Sequence, residues 1–301
     1  MPSQANQALA EGTRLENYRI VRALASGGFS FVYLAQDDKG GEVLVKEYLP
    51  SNLAVRTEAG APPKIAPADL KRFRYGMKCF FEEGRALAKL QHPNVVRVLN
   101  FFRANDTVYL VMRYERGFSL QHHILNRAGM PDEVWVRSTF AQLLNGLREV
   151  HTNKLLHLDI KPANVFVRND GSPLLIDFGA ARQVLSEEAS KLAPTYTPGF
   201  AAPEQYARGA PQPLGPWTDI YSVGATLYAC FAGAAPQPAD KRLRREELVP
   251  ARQAWAERYS ETLLDIVDWC LRLDALERPQ SVFALQKALL GEKEPERRAR
   301  A

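Results

Sequence analysis

Apolar residues in the first 115 positions occur mainly in short runs that are rich in β-branched and aromatic side chains. Gly and Asp residues separate several of these runs, as they do in the turns between strands. The pattern predicts β-strands over residues 18–25, 31–36, 42–48, 95–102 and 107–114.

One helix is predicted inside this β-rich region. Apolar residues recur at helical spacing over residues 68–90, and the pattern stops before His92 and Pro93. Residues 50–67 are rich in Pro, Gly and Ala and are predicted to form a long loop. A loop of this length is either a docking element or an insertion typical of the chain's family.

After Gly117 the spacing of apolar residues becomes mostly helical. The predicted helices cover residues 133–151, 220–233, 262–273 and 282–290. Both ends, residues 1–16 and 291–301, are predicted to be frayed. The expected fold is therefore α+β, with a small β-rich lobe followed by a larger helical lobe.

The composition is that of a soluble globular protein, with 46% hydrophobic and 24% charged residues and a net charge of +5. No basic stripe interleaved with aromatic residues is present, which argues against a nucleic-acid function. The three cysteines lack the spacing of a metal site, and no secretory leader is recognisable. The apolar residues 220–235 are too few and too polar for a membrane span and predict a buried helix. We therefore expect a cytoplasmic protein.

A glycine-containing turn joins the first two predicted strands. Gly27 and Gly28 lie at its tip, where glycines let backbone N–H groups approach phosphate oxygens. Lys46 follows in the segment VLVKEY, where a positive charge could meet the α- and β-phosphates of a nucleotide. Taken alone, the glycines are more typical of a plain hairpin turn, and the lysine of an exposed strand residue.

A carboxylate on the predicted helix could hold Lys46 against the phosphates. Glu83 is the candidate, because its spacing from Leu87 and Leu90 places it closer to the buried face. The neighbouring Glu82 is the alternative and is expected to be a solvated helix residue.

The strongest chemical signal lies in the middle of the chain. His157, Asp159, Lys161 and Asn164 belong to the segment HLDIKPAN, and Asp177 begins the segment DFG. Two carboxylates, an amide and a lysine at these spacings match the catalytic loop and the metal-binding turn of protein kinases. The chain therefore resembles a eukaryotic-type serine/threonine protein kinase, and it is most similar to those found in bacteria.

The resemblance spans roughly residues 18–290 and implies the bilobal protein kinase fold. The small β-rich N-lobe with one main helix is expected over residues 18–115, and the larger, mostly helical C-lobe over residues 116–290. Residues 1–17 are then an N-terminal extension, and residues 291–301 a C-terminal tail.

Further segments agree with the resemblance. Ala202-Pro203-Glu204 corresponds to a family signature, Arg278 resembles the arginine that pairs with its glutamate, and Asp219 opens the buried helix. Four residues resemble the apolar stack of active kinases, namely Leu87, Val98, His157 and Phe178.

The resemblance implies a role for each residue of the catalytic segments. Asp159 would accept or orient the proton of the substrate hydroxyl, and Lys161 would neutralise the migrating phosphoryl group. Asn164 and Asp177 would hold Mg²⁺ through oxygen atoms, which suit this hard cation.

Two other expectations concern activation and specificity. Lys46 and Glu83 would form the ion pair of the active state. Thr197 resembles the threonine that bridges the catalytic aspartate and lysine in serine/threonine kinases, and Lys161 also fits the serine/threonine pattern rather than the tyrosine pattern.

The resemblance further implies a binding site for ATP. Met112 resembles the gatekeeper, Arg113–Glu115 the hinge whose backbone bonds adenine, and Phe166 the floor of the adenine pocket. The other expected nucleotide-binding residues lie in the strands, namely Leu24, Ala25, Ser26, Gly27, Gly28, Phe29, Ser30, Val32, Leu44 and Lys46.

The chain departs from the family pattern around the nucleotide. Ala25 and Ser30 stand where glycine is usual, which implies a stiffer but intact phosphate loop. Leu44 stands where alanine usually forms the roof of the adenine pocket, and its three extra carbons would crowd the base or change its pose. We expect adaptation of the site rather than loss of nucleotide binding.

Leu158 replaces the arginine that normally pairs with a phosphorylated residue of the activation loop. We therefore predict that activity does not require phosphorylation of that loop, whose candidate hydroxyls are those of Ser186, Ser190 and Thr195.

Three functions remain possible from the sequence. The favoured function is a kinase that phosphorylates serine and threonine in proteins, including itself; its partners are then ATP and protein substrates. A catalytically weak or inactive scaffold is the alternative. A small-molecule kinase is disfavoured, because residues 202–204 and Thr197 indicate a platform for a protein substrate.

Overall fold

The computed structural model describes residues 6–126, 129–178, 196–206 and 213–291. The chain divides into two compact units. The first contains Met1–Gln91 with Val96–Glu115, and the second contains His92–Val95 with Arg116–Ala301. The described part of the first is β-rich and that of the second mostly helical, which agrees with the α+β fold expected from the sequence.

The first unit is built on an antiparallel sheet with the strand order β1-β2-β3-β4-β6-β5. The strands are β1 (Arg14–Leu15), β2 (Tyr18–Ser26), β3 (Ser30–Asp37), β4 (Glu42–Tyr48), β5 (Val98–Ala104) and β6 (Thr107–Arg113). The helix of this unit, α1, covers Leu70–Leu87.

Helix α1 packs against the face of the sheet that carries Lys46. Tyr48, two residues beyond Lys46 and therefore on the same face, has its ring 5.4 Å from that of Phe73 and 5.7 Å from that of Phe80. Gly76 lies between these contacts, and a Cβ at this position would collide with the Tyr48 hydroxyl. The glycine thus permits the close approach of helix and strand.

The opposite face of the sheet contains a buried ion pair. Glu47 on β4 accepts two hydrogen bonds from the Arg56 guanidinium, over 2.6 and 2.7 Å, and both side chains are fully buried. The hydroxyls of Tyr33 and Tyr109 donate to the same carboxylate over 2.7 and 2.8 Å. Burial and the nearby Glu47 charge raise the pKa of both tyrosines above the ordinary value, so both hydroxyls remain donors.

Arg56 belongs to the long loop predicted over residues 50–67, and it also anchors the chain's N-terminal segment. Its backbone N–H donates to Asn6 Oδ1 over 2.7 Å, and its Nε donates to the Gln7 carbonyl over 2.8 Å. Leu9, in the same segment, is buried and donates its N–H to the Tyr33 hydroxyl. The prediction of a frayed N-terminus is therefore wrong from residue 6 onward, because these bonds and buried side chains hold the segment on the unit.

The second unit combines a small sheet with a set of helices. Its strands, in the order β7-β8-β9, are β7 (Gly117–Ser119), β8 (Val165–Arg168) and β9 (Pro173–Leu175). Its described helices are α2 (Leu120–Asn126), α3 (Glu133–Thr152), α4 (Pro203–Tyr206), α5 (Pro216–Ala232), α6 (Ala239–Arg242), α7 (Ala251–Ala254), α8 (Glu261–Cys270) and α9 (Val282–Leu289).

Helix α5 lies in the core of the second unit. Every residue from Thr218 to Phe231 is buried, which confirms the prediction of a buried helix. Gly224 permits a close approach to α8, since a Cβ there would collide with Cys270. No helix among the described residues is long and apolar enough to cross a bilayer.

Candidate active site

The glycine-containing turn is braced from the far end of β4. The carbonyl of Phe29 accepts the N–H of Leu49, and the carbonyl of Gly28 accepts the N–H of Ser51, each over 2.9 Å. The turn itself is closed by a 2.9 Å bond from the Gly27 N–H to the carbonyl of Ser30. Gly28 has open space where a Cβ would point. The turn is therefore braced at the carbonyls of Gly28 and Phe29, while the space beside the Gly28 Cα stays open.

Lys46 occupies the centre of the sheet and is 6% exposed. In the strand register it lies between Val32 on β3 and Leu110 on β6, and its Nζ is 5.9 Å from the centre of the Phe80 ring. An amine in these surroundings needs a carboxylate nearby.

Glu83 supplies the candidate carboxylate. It is 3% exposed and lies three residues beyond Phe80, one turn along α1. Glu82, by contrast, is solvated and reaches the exposed Arg85 over 3.8 Å. The structure thus places Glu83 and Lys46 on elements that pack together, whereas Glu82 faces solvent.

The expected roof of the nucleotide pocket lies on the same sheet face. Leu44 is half-buried and pairs in register with Leu34 and Met112. Val32, which pairs with Ala25, continues this face toward the glycine-containing turn. Leu44 therefore lies beside Met112, the predicted gatekeeper, and two positions before Lys46 on β4.

The other residues predicted to bind the nucleotide belong partly to the first unit and partly to the second. Arg113 ends β6 and donates its N–H to the Arg97 carbonyl over 2.9 Å, and Glu115 is the last residue of the unit. Leu24 is on the exposed part of β2. Phe166 belongs to β8 of the second unit.

In the second unit, three predicted residues converge on the carboxylate of a fourth, Asp159. Asp159 Oδ1 accepts the Thr197 hydroxyl over 2.7 Å, while its Oδ2 accepts Lys161 Nζ over 2.7 Å and Asn164 Nδ2 over 2.9 Å. Lys161 Nζ also donates to Thr197 Oγ1 over 2.7 Å. The carboxylate is held by three donors and remains partly exposed, at 18% of its side-chain area.

A buried aspartate holds the backbone of this loop. The carboxylate of Asp219 accepts the N–H groups of His157 and Leu158 over 2.9 and 2.7 Å, and it contacts His151 Nε2 at 2.7 Å. Burial alone would raise the pKa of Asp219, but these hydrogen bonds and the histidines outweigh it, and the pKa lies below the ordinary value. Asp219 is therefore a charged anchor for the loop.

The segment around Asp177 is tied to the same loop. His157 packs its ring 4.4 Å from that of Phe178 and contacts the Ile176 carbonyl at 3.1 Å. Complete burial lowers the pKa of His157, which keeps the imidazole neutral. Ile176 donates its N–H to the Asn164 carbonyl over 3.0 Å, which brings the two predicted metal ligands onto neighbouring backbone segments. Gly179 lies outside the described residues.

The donor set fits Mg²⁺. Asn164 Nδ2 donates to both the carbonyl and the carboxylate of Asp159, so the amide oxygen Oδ1 points away from that residue. An amide oxygen and the Asp177 carboxylate are hard ligands of the kind that Mg²⁺ prefers.

Leu158 has the left-handed backbone conformation, with φ = +63°, and is 2% exposed. This conformation costs roughly 1–2 kcal/mol for a non-glycine residue. It is held by Asp219 at the N–H and by Gln205 Nε2, which donates to the Leu158 carbonyl over 2.9 Å. Gln205 and His151 were not among the residues predicted for the site. The only available signal was the position of Gln205 directly after the Ala-Pro-Glu segment.

The predicted pairing of Arg278 with Glu204 is present. The guanidinium donates to both carboxylate oxygens over 2.8 and 3.1 Å, and Thr218 donates to the same carboxylate over 2.8 Å. This buried pair fixes α4, and with it the segment that follows Thr197, to the helical core.

Comparison with known proteins identifies the family. A profile of the protein kinase domain matches residues 18–290. The serine/threonine-protein kinase pkn2 of Myxococcus xanthus is 31% identical over 90% of this chain and 32% of its own length. The serine/threonine-protein kinase PknA of Nostoc sp. is 29% identical over 90% of this chain and 46% of its own length. The chain thus spans less than half of the length of these two relatives.

A solved structure, the apo form of PpkA-294, superposes with a TM-score of 0.83 and 31% identity over 93% of this chain and 99% of that one. These findings confirm the predicted bilobal fold and the resemblance to bacterial serine/threonine kinases. The chain belongs to the protein kinase domain family.

Proposed function

We propose that this chain transfers the γ-phosphoryl group of ATP to serine and threonine hydroxyls of proteins, its own included. The observation that carries this proposal is the convergence of Lys161, Asn164 and Thr197 on the carboxylate of Asp159. The alternative, a scaffold without activity, gives no reason for a lysine, an amide and a hydroxyl to be arranged around one partly exposed carboxylate.

In the proposed reaction the acceptor oxygen forms a bond to the γ-phosphorus while the bond between that phosphorus and the β–γ bridging oxygen breaks. Asp159 receives the proton of the acceptor hydroxyl, and ADP leaves. Lys161 lies 2.7 Å from Asp159 and places a positive charge where negative charge develops on the transferred group.

The nucleotide is assigned to the first unit's predicted residues and the metal to Asn164 and Asp177. Mg²⁺, when bound there, would neutralise phosphate charge. Lys46, held by Glu83, would bind the α- and β-phosphates. The glycine-containing turn would supply backbone N–H groups, and Leu44 would contact the adenine ring.

Thr197 supports the choice of serine and threonine as acceptors. Its hydroxyl bridges Asp159 and Lys161, which are both 2.7 Å away. This bridge ties the segment that precedes α4 to the catalytic carboxylate, and a threonine in this role is typical of the serine/threonine kinases that the chain resembles. A cytoplasmic location belongs to the same proposal and is supported by the three cysteines, which are all free thiols, as is usual in a reducing compartment.

The direct test is incorporation of labelled γ-phosphate from ATP into the chain itself and into a generic basic protein, followed by identification of the labelled amino acids. We expect label on serine and threonine, incorporation that requires Mg²⁺, and no label on tyrosine. Absence of incorporation while ATP still binds would favour a scaffold, and label on tyrosine would overturn the assignment of Thr197.

Replacement of Ser186, Ser190 and Thr195 together by alanine is expected to leave kcat within about twofold of wild type. These residues lie outside the described part of the chain. Activity is expected to persist because Leu158 is buried and has no positive charge with which to bind a phosphate group on the activation loop. Steady-state kinetics on the basic substrate, with mass spectrometry to establish the phosphorylation state, measures this. A loss of activity beyond tenfold would show that the loop does require phosphorylation.

A further inference from the structure

The amide of Gln205 makes two hydrogen bonds that together fix its orientation. Its Oε1 accepts the N–H of Ala202 over 2.9 Å, and its Nε2 donates to the carbonyl of Leu158 over 2.9 Å. Because the N–H of Ala202 can only donate, the oxygen of the amide must face Ala202 and the nitrogen must face Leu158.

The carbonyl that Gln205 binds belongs to the peptide bond between Leu158 and Asp159. This bond is planar, so fixing the oxygen also fixes the plane from which the Asp159 backbone continues. Leu158 is in the left-handed region, at φ = +63°, and other backbone conformations are intrinsically more favourable for leucine. Asp219 restrains the N–H of Leu158 and Gln205 restrains its carbonyl, so the two bonds together select the unfavourable conformation.

The segment from Thr197 to Tyr206 therefore contacts the catalytic loop at two points. Thr197 binds the side chain of Asp159, and Gln205 binds the backbone immediately before it. Both contacts are made by uncharged donors. Leu158 itself has no charged group with which to tie the loop to this segment.

We propose that Gln205 is a positioning residue, which orients Asp159 for catalysis by holding the carbonyl of Leu158. This inference rests on the proposed function. This contact is neutral and involves no phosphate, which agrees with the prediction that activity does not depend on a phosphate in the activation loop.

Gln205→Met removes both polar groups and keeps the length of the side chain. We expect kcat to fall by about 10- to 100-fold, because small displacements of a catalytic group have effects of this size. The KM for ATP should change less than about twofold, since no residue assigned to ATP is touched, and the same split would not follow from general unfolding.

Gln205→Glu tests the inference through the pH dependence of kcat, which a purely structural role of Gln205 would not change. The ionised carboxylate presents an acceptor to the Leu158 carbonyl, whereas the protonated carboxyl group can donate to it. The ratio of the variant's kcat to that of wild type should therefore rise as the pH is lowered from about 8 to about 6. The ratio for Gln205→Met should stay flat over the same range.

Hydrogen exchange gives a measurement that does not depend on turnover. Exchange of the amides of residues 157–161, followed by mass spectrometry, should be faster in Gln205→Met than in wild type. Gln142→Met is the matched control, since Gln142 is a half-buried helix glutamine whose side chain contacts only Ser138 at 3.5 Å among the described bonds.

The outcomes separate the inference from the proposed function. If wild type transfers no phosphate, the proposed function fails and Gln205 has no catalytic role. If wild type is active but Gln205→Met keeps its kcat and its rate of exchange, the inference is wrong and the function stands. If Gln205→Met does not fold, the pH dependence of Gln205→Glu decides, and a flat ratio overturns the inference.

Discussion

Replacement of Arg56 by alanine is expected to lower the free energy of unfolding by about 3–5 kcal/mol. The substitution leaves the Glu47 carboxylate in a site with no exposed side-chain area and without its cation. The hydroxyls of Tyr33 and Tyr109 still donate to it, but two neutral donors do not compensate a buried charge. The N-terminal segment also loses the bond from Arg56 Nε to the Gln7 carbonyl.

Two further variants give this prediction its control and its rescue. Arg14→Ala breaks an ion pair with Asp38 in which both side chains are more than half exposed, and it should cost less than about 1 kcal/mol. The double variant Arg56→Met with Glu47→Leu removes both charges and keeps apolar volume. It should be clearly more stable than Arg56→Ala, because replacing a buried pair by apolar residues is often nearly neutral.

Urea unfolding should be followed with two probes, because the tryptophans report on one unit only. Trp135, Trp217, Trp255 and Trp269 all belong to the second unit, whereas circular dichroism detects the sheet of the first unit as well. We expect the transition by circular dichroism to move to lower urea in Arg56→Ala. A loss below about 1 kcal/mol by both probes would mean that the buried pair contributes little to the stability of the folded chain.

This ion pair is also where prediction from the sequence failed. Arg56 stands in a loop rich in Pro, Gly and Ala, and nothing in its local pattern separates it from an ordinary solvated arginine. Its partner Glu47 is one residue from Lys46, but alternation along the strand sends the two side chains to opposite faces. The ordered segment around Asn6 is held by hydrogen bonds to this loop, about fifty positions away, which periodicity cannot detect.

The catalytic segments could be predicted because their functional residues lie only a few positions apart in the sequence. Asp159, Lys161 and Asn164 are close in sequence, so their spacing alone brings them to one side of a short loop, as the structure shows. Helical spacing also favoured Glu83 over Glu82 correctly as the buried residue. Gln205 was missed because its amide reaches the loop from 47 residues away, and His151 because it acts through Asp219, which lies 68 residues further along the chain.

Asp159→Asn is expected to lower kcat by about 10²–10⁴-fold, the range that general acid–base catalysis contributes. The amide is nearly isosteric but cannot take the proton of the acceptor hydroxyl. In the wild type, Lys161 Nζ and Asn164 Nδ2 both donate to one charged oxygen of Asp159. The variant presents an NH₂ group or a neutral oxygen to these two donors instead. The change therefore removes both the base and the charge that orders its neighbours.

Binding of ATP should survive this substitution, because the residues assigned to the nucleotide do not include Asp159. Labelled phosphate transfer measures kcat, and equilibrium binding of ATP measures affinity. The matched control is Asp170→Asn in the exposed turn between β8 and β9, whose kcat is expected to stay within about twofold of wild type. Unchanged ATP affinity with a collapse of transfer would assign the base to Asp159. If Asp159→Asn keeps more than about a tenth of the wild-type kcat, the base lies elsewhere. The cluster around Asp159 would then hold the loop together rather than carry out the chemistry.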